Sequence, residues 1–367
     1  MSGIITFDAR MLGASGIGTY IENLLAELRK LDHRLLFNFI GDYDKLHRII
    51  GSSPRFEIKD ADFPVFSIAE QLRLPGLAKG SGLFHAPFHN VPFRWKGKLL
   101  VTLFDVFHWD YPELIPNWKG KYYLRTVTKR IKKADFIITS SEFTRQRIIE
   151  HFGFPDENIA VIPLGVNLNH FSRRGTETVC AILEKYKLRP GNYMIYVGNM
   201  KPHKNIERLV EAYKIARSEG IRDYLVLAGK ISGLRATVDV DSLISNEGVK
   251  YIGEVPNSDL PYLYSGARAC TFISLYEGFG LPPLEAMACG CPVLCSNTTS
   301  LPEVVGNAAF TVNPNDIEKI SEKIKKICLD LKLRKILIRK GLKQARFFSW
   351  EKTTLATIEI YKKLMEG

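Results

Sequence analysis

The sequence is poor in several features, and each shortage excludes something. No apolar run approaches the ~18 residues of a membrane span, so no spanning helix is expected. Six of 367 residues are cysteine: Cys180, Cys270, Cys289, Cys291, Cys295 and Cys328. Three of them cluster as Cys-Gly-Cys-Pro-Val-Leu-Cys, without the Cys-x2-Cys spacing or the fourth ligand of a zinc site. Small buried thiols are the expected reading. No secretory signal pattern opens the chain, so a reducing, cytoplasmic compartment is expected. There is no low-complexity linker, which leaves only a short join between domains. Acid is also in deficit: 39 Asp and Glu stand against 51 Lys and Arg, a formal charge of +12. A surplus of that size suits an acidic partner such as a nucleotide, a phospholipid surface or nucleic acid. Residues 317–347 hold 11 basic and 3 acidic residues, a run that also fits a plain solvated helix face.

What the sequence does contain is β-α alternation, twice over. GIITFDAR reads as a strand, MLGASGIGT as a glycine loop and YIENLLAELRKL as a helix, with Tyr20, Leu24, Leu28 and Leu31 at helical spacing. LLFNFIG, KLLVTLFDV, ADFIITSS and NIAVIPLGV follow as strands with little alternation, as buried parallel strands show. SEFTRQRIIEHFG is a helix with Ser141 as its N-cap and Gly153 past its end. The pattern restarts with the strand NYMIYVGN, its turn MKPHKN and the helix IERLVEAYKIARSEG. DYLVLAG, GVKYIGEV, ARACTFIS, CPVLCSN and AAFTVNP are further strands, and basic helices run from Ile317 to the end. The fold class is therefore α/β, with two doubly wound, Rossmann-like parallel-sheet domains facing a central cleft. The expected divisions are 1–168, 169–347 and a closing helix over 348–367.

Four stretches carry chemistry. In SLYEGFGLPPLEAMACGCPV, Glu277 precedes a Gly-Phe-Gly turn and Glu285 is placed in the first turn of a helix that Pro282 opens and Gly290 ends. The helix start suits phosphate. Like charges repel, so Glu285 is expected to reach past the phosphate to a pair of sugar hydroxyls, and Glu277 to hydroxyls of a second ring. In VGNMKPHKN, Lys201, His203 and Lys204 stand at a helix start where cations oppose the dipole, so an anionic ligand such as a diphosphate is expected. GASGIGT, with Gly16 and Gly18, offers bare amides but only an incomplete nucleotide-loop pattern. The stretch 117–135 holds seven basic residues before Asp135. Its Trp118, Lys119, Lys121, Tyr122, Arg125 and Lys129 suit an anionic membrane or acceptor surface. A solvated helix with its aromatics turned to the core fits as well, and nucleic acid is the least favoured partner.

Together with SNTTSLPEVVGNAA, GIGTYIENLL, SSEFTRQRIIEHFGFPDENIAVIPLGVN and FSWEKTTLATIEIYKKL, these motifs resemble the retaining nucleotide-sugar glycosyltransferases of family four, which have the GT-B fold. The likeness is strongest to the bacterial mannosyltransferase branch. It implies roles at matching positions. Glu285 would hold the donor ribose. Glu277, with Gly278, Phe279, Gly280 and Leu281, would hold the donor sugar. Lys204 would bind the diphosphate, with Asn199, Lys201 and His203 beside it. Glu254 and Val255 would meet the base, Leu301 would lie near the phosphates, and Gly16 and Gly18 would approach from the first domain. Trp350 and Tyr361 would bring the last helix back to that domain. No metal or other cofactor is implied. Where the family often carries His-Asp, this chain has Phe104-Asp105, which leaves His108, His85 and His89 as candidate replacements. The expected catalytic set is Glu277, Lys204, Asp105 and His108. The implied function is hexose transfer, mannose from GDP-mannose, onto a glycan or lipid-linked acceptor in cell-surface glycan synthesis at the inner membrane face. UDP- or dTDP-sugar donors, or an inactive sugar-nucleotide-binding partner subunit, are the alternatives.

Overall fold

A computed structural model describes residues 3–115, 118–231, 243 and 245–366. The chain forms two compact units, one of residues 1–165 with 350–367 and one of 166–349.

The first unit runs β1 (Ile4–Asp8), α1 (Ser15–Lys30), β2 (Leu36–Gly41), α2 (Tyr43–Ile50), β3 (Phe56–Asp60), α3 (Ile68–Leu77), β4 (Leu83–Ala86), β5 (Lys98–Leu103), α4 (Phe107–Asp110), α5 (Trp118–Ile131), β6 (Phe136–Thr139), α6 (Glu142–Phe152) and β7 (Ile159–Val161). Its seven strands are all parallel, in the order β3-β2-β1-β4-β5-β6-β7. The second unit runs α7 (Thr176–Lys185), β8 (Tyr193–Val197), α8 (Ile206–Ser218), β9 (Tyr224–Ala228), β10 (Val249–Tyr251), α9 (Leu260–Gly266), β11 (Ala269–Phe272), α10 (Leu281–Ala288), β12 (Val293–Ser296), α11 (Leu301–Val305), β13 (Phe310–Val312), α12 (Ile317–Leu329) and α13 (Leu331–Ala345). Its six parallel strands follow the order β10-β9-β8-β11-β12-β13. The last helix, α14 (Trp350–Glu366), belongs to the first unit.

Local sequence explains most of these elements. α6 begins where Ser141 Oγ accepts from the Thr144 amide, and it ends at Gly153 in the left-handed conformation, φ +58. α1 starts five residues ahead of the expected Tyr20, because Ser15–Thr19 of the glycine loop already form its first turn. It buries Tyr20, Ile21, Leu24, Leu25 and Leu28. The central strands are buried throughout, which is why their sequences lack alternation. α14 is bound to the first unit by polar contacts as well as packing. The Tyr361 hydroxyl meets His85 Nδ1 at 2.6 Å, and Thr353 Oγ1 donates to the Pro163 carbonyl at 2.7 Å. The basic run at 317–347 is amphipathic: Ile320, Ile324, Ile327 and Leu337 are buried while the lysines line the outer faces.

Candidate functional site

In each sheet, loops leaving the two strands at which the chain order reverses diverge and leave a crevice. In the second unit those strands are β8 and β11. The loop after β8 carries Lys204 and the loop after β11 carries Glu277. Lys204 Nζ donates to both carboxylate oxygens of Glu277, at 2.7 and 2.9 Å. The two side chains are 18% and 11% exposed, so the pair is shielded but open on one side. The Leu275 amide donates to the His203 carbonyl at 2.8 Å, which locks the loops in register. Ser300 Oγ donates to the carbonyls of Glu277 at 2.9 Å and Phe279 at 3.0 Å, and Thr299 Oγ1 accepts from the Glu277 amide at 3.3 Å. The carboxylate thus sits on a loop braced from both sides.

This pairing corrects the electrostatic argument drawn from VGNMKPHKN. Pro202–Lys204 form a separate 3-10 turn, and Asn205, at φ +61, intervenes before α8. Lys201 is exposed, and the negative charge beside Lys204 comes from Glu277 itself. A second correction concerns Glu285. α10 begins at Leu281, with Pro282 and Pro283 in its opening positions, so Glu285 is its fifth residue, just beyond the first turn. Gly290 does stand past the helix end, at φ +72. Burial pushes the Glu285 carboxyl up to about 7, partly offset by the Tyr264 hydroxyl, which points at Oε2 from 3.5 Å. Such a carboxyl is poised to ionise when donors reach it. Gly280 caps the helix at φ +116, and a Cβ there would lie 2.6 Å from Leu301 Cδ2. Leu301 is fully buried against it, so its side chain shapes the turn and does not reach outward.

A pocket of about 120 Å³ opens at the carboxyl ends of β8, β9 and β10, lined by Asn199, Gly198, Gly229, Lys230, Glu254 and Val255 among others. Three residues expected at the donor, Asn199, Glu254 and Val255, meet there. Its floor requires glycine: a Cβ on Gly229, at φ +139, would fall 2.0 Å from the Gly198 carbonyl oxygen. A larger hollow of about 340 Å³, lined by Lys214, Arg217, Arg222 and Glu247, involves the end of α8 and the residues before β10. It lies at the amino ends of the strands, the wrong edge for this site.

In the first unit, Gly16 is exposed near the start of α1, whereas Gly18 is buried with its Cβ direction filled by Gly13. Gly18 is therefore a packing glycine. Asp105 and His108 are both exposed, and Asp105 Oδ1 accepts from the Phe107 amide at 3.0 Å at the start of α4. Phe104 packs edge-on against buried Tyr20, with ring centroids 4.9 Å apart. His85 is no substitute for a missing catalytic histidine: it is fully buried, with both nitrogens engaged by Tyr361 and Thr102. Burial holds its imidazole down at about 3. His89 is held equally low by burial and by neighbouring His108, its ring 6.3 Å from that of His108.

Sequence reasoning missed the strongest polar cluster of this unit. Arg10 forks onto Asp8 at 2.8 and 2.6 Å and also binds Glu70. Glu70 accepts from Asn90 as well, and Asn90 accepts from the Tyr123 hydroxyl at 2.6 Å. Nothing in the spacing of residues 10, 70, 90 and 123 signals this. On α5, Tyr123 and Val127 turn inward, but Trp118 and Tyr122 are 72% and 68% exposed beside exposed Lys119, Lys121, Arg125 and Lys129. The reading of this helix's aromatics as core residues therefore fails for Trp118 and Tyr122. Asn117, where that stretch begins, lies outside the described residues.

Asp-x-Asp spacings, which suit a metal, occur at Asp42–Asp44, Asp60–Asp62 and Asp239–Asp241. Asp42 caps α2 and Asp60 accepts from the Tyr43 amide, while the third lies outside the described residues. Among the described residues no three His, Cys, Asp or Glu side chains converge on a metal site. Burial raises the thiols of Cys270, Cys289, Cys291 and Cys295, which makes them inert packing groups.

A family profile described as Glycosyl transferases group 1 matches residues 182–344, and one described as Glycosyltransferase Family 4 matches residues 14–170. The chain is 38% identical over 288 residues to the O-antigen chain mannosyltransferase B of Escherichia coli, covering 77% of this chain and 74% of that one. It is 31% identical over 258 residues to the serotype-specific mannosyltransferase WbdA of E. coli, covering 69% of this chain but 31% of that much longer protein. Its fold superposes on Anabaena HepE, solved in complex with UDP-glucose, with a TM-score of 0.78 at 17% identity over 98% of this chain and 99% of that one. With its two Rossmann-like sheets and these relatives, the chain belongs to glycosyltransferase family four, in its bacterial mannosyltransferase branch, with the GT-B fold.

Proposed function

We propose that the protein is a retaining, metal-independent hexosyltransferase that moves mannose from GDP-mannose onto a glycan or lipid-linked acceptor in cell-surface glycan synthesis. The observation that carries this is the braced ion pair at the β8/β11 crevice, with Glu285 eight residues beyond Glu277 in α10. In this reading Glu285 accepts from the ribose hydroxyls and the 120 Å³ pocket receives the base. Glu277 accepts from hydroxyls of the transferred sugar. In the same reading its ion pair with Lys204 Nζ, at 2.7 and 2.9 Å, holds that ammonium ready for the diphosphate. As the anomeric bond to phosphate breaks, negative charge grows on the leaving diphosphate, and Lys204 stabilises it. The acceptor hydroxyl attacks on the same face and passes its proton to the departing phosphate oxygen, which retains the anomeric configuration.

Names of relatives support the mannose donor and a role in O-antigen-type synthesis. The exposed Trp118 and Tyr122 among lysines support peripheral attachment to an anionic membrane face. Among the described residues no helix is long and apolar enough to cross a membrane.

Calorimetric titration with GDP-mannose, UDP-glucose and dTDP-rhamnose tests the donor. Tightest binding of GDP-mannose is expected, and preference for a uridine or thymidine donor would overturn that choice. NMR of the product reads the anomeric configuration, and transfer abolished by a chelator would refute metal independence. Donor binding without hydrolysis or transfer to any acceptor would favour an inactive partner subunit.

A further inference from the structure

One residue of the first unit stands in a conformation that its type avoids. Phe66 has φ +64, in the left-handed region that bulky side chains disfavour. The buried polar cluster explains how it stays there. The Phe66 amide donates to Glu70 Oε2 at 2.8 Å. Glu70 is fully buried, and its other oxygen is held by Arg10 and Asn90. A network of buried charges thus over-determines the backbone of a single residue. The ring it supports is left 50% exposed, so its own burial does not repay the strain. Strain of this kind, held in place by surrounding structure, clusters at functional sites.

The ring also has company. It lies 6.0 Å from Phe88 and 5.9 Å from His89. His89 leads on to His108 at 6.3 Å, and His108 to Phe107 at 5.7 Å. This is a run of rings across the loops that leave β3, β4 and β5, with exposed His108 in it and exposed Asp105 beside it, its Oδ1 accepting from the Phe107 amide at 3.0 Å. Flat faces interleaved with hydrogen-bonding groups suit a pyranose, which has an apolar C–H face and a rim of hydroxyls. A lipid chain would call for apolar walls alone.

We propose that Phe66 is a specificity-determining residue that stacks on a hexopyranose of the acceptor glycan, pre-set by Glu70, with His108 and Asp105 meeting its hydroxyls. The proposal rests on the transferase reading above and names the acceptor chemistry of the first unit.

Saturation-transfer NMR with methyl α-mannopyranoside and α-mannotriose as probes tests it. The wild type should saturate the protons of one pyranose face. Phe66→Gly removes the ring and relieves the backbone, so its melting temperature should not fall, and the saccharide signal should drop at least fivefold. Phe66→Leu should lose the signal equally, while Phe66→Tyr should keep it. Full signal in Phe66→Gly overturns the proposal, as does full rescue by leucine, which would indicate simple apolar contact. GDP-mannose titrated in parallel separates the two readings. A wild type that binds GDP-mannose but neither saccharide sinks this inference alone. Saccharide binding through Phe66 without any sugar-nucleotide binding upholds it and sinks the donor assignment.

Discussion

Lowering the pH from 8 to 6 should weaken GDP-mannose binding about tenfold, and the reason is Glu285. In the ligand-free protein burial raises its carboxyl from the ordinary 4.5 to about 7. In the proposed site the ionised carboxylate accepts from two ribose hydroxyls, so donor binding should drive the proton off. For one group titrating near 7, affinity falls tenfold, or about 1.4 kcal/mol, per pH unit below that point. About half a proton should leave at pH 7. GDP-mannose is the right probe because its diphosphate is esterified at both ends and does not titrate in this range. Calorimetry in two buffers of different ionisation enthalpy counts the protons. The sign is decisive, since a site whose pH dependence came from a group gaining positive charge would bind an anion more tightly as pH falls. The free protein provides a second check. A carboxyl raised in the fold contributes most stability below its unfolded pKa and loses it as pH rises from 4.5 through about 7, by roughly 3 kcal/mol at most. Glu285→Gln should therefore raise the melting temperature at pH 8, leave it unchanged at pH 4, and abolish the pH dependence of the remaining binding. Proton uptake on binding, or an unchanged pH profile in Glu285→Gln, would refute the reasoning.

The ion pair gives a double-mutant cycle. Lys204→Met or Glu277→Gln alone orphans a shielded charge and should cost about 3 kcal/mol in urea unfolding, while the double variant recovers most of it; additive losses would deny the coupling. Gly280→Ala should lose roughly 2–4 kcal/mol, from backbone strain at φ +116 and the 2.6 Å approach to Leu301, and a wild-type melting curve would contradict that geometry. Tyr361→Phe removes the hydroxyl at His85 Nδ1 and should cost about 1–2 kcal/mol in thermal unfolding, with no change in GDP-mannose affinity. Trp118→Ser with Tyr122→Ser should reduce sedimentation with anionic liposomes severalfold without lowering the melting temperature, and undiminished sedimentation would remove α5 from the membrane surface.

How much was legible in advance varied with the range of the interaction. α6 and its caps follow from residues within a turn of each other, and so do the glycine turns at Gly280 and Gly290. β3 and β4 went unread because their segments, FEIKD and LFHA, are too short to show a period. α3 was obscured by Pro75 inside it and by Ile68 and Leu72 on its exposed face. Trp118 and Tyr122 fit a buried or an open face equally well by spacing.

By itself the sequence determined the β-α alternation, the two parallel sheets and the Glu277–Glu285 constellation, because each depends on local periodicity and on residues within one loop and helix. The tertiary structure alone decided which charge faces which. Lys204 meets Glu277 only because β8 and β11, separated by two intervening strands in sequence, become neighbours where the chain order reverses. Arg10, Glu70, Asn90 and Tyr123 form one network for the same reason, since parallel strands deliver their following loops to one end of the sheet. Burial did the rest: it turned Glu285 from an ordinary carboxylate into a group near neutrality, and His85 from a candidate catalyst into part of the core.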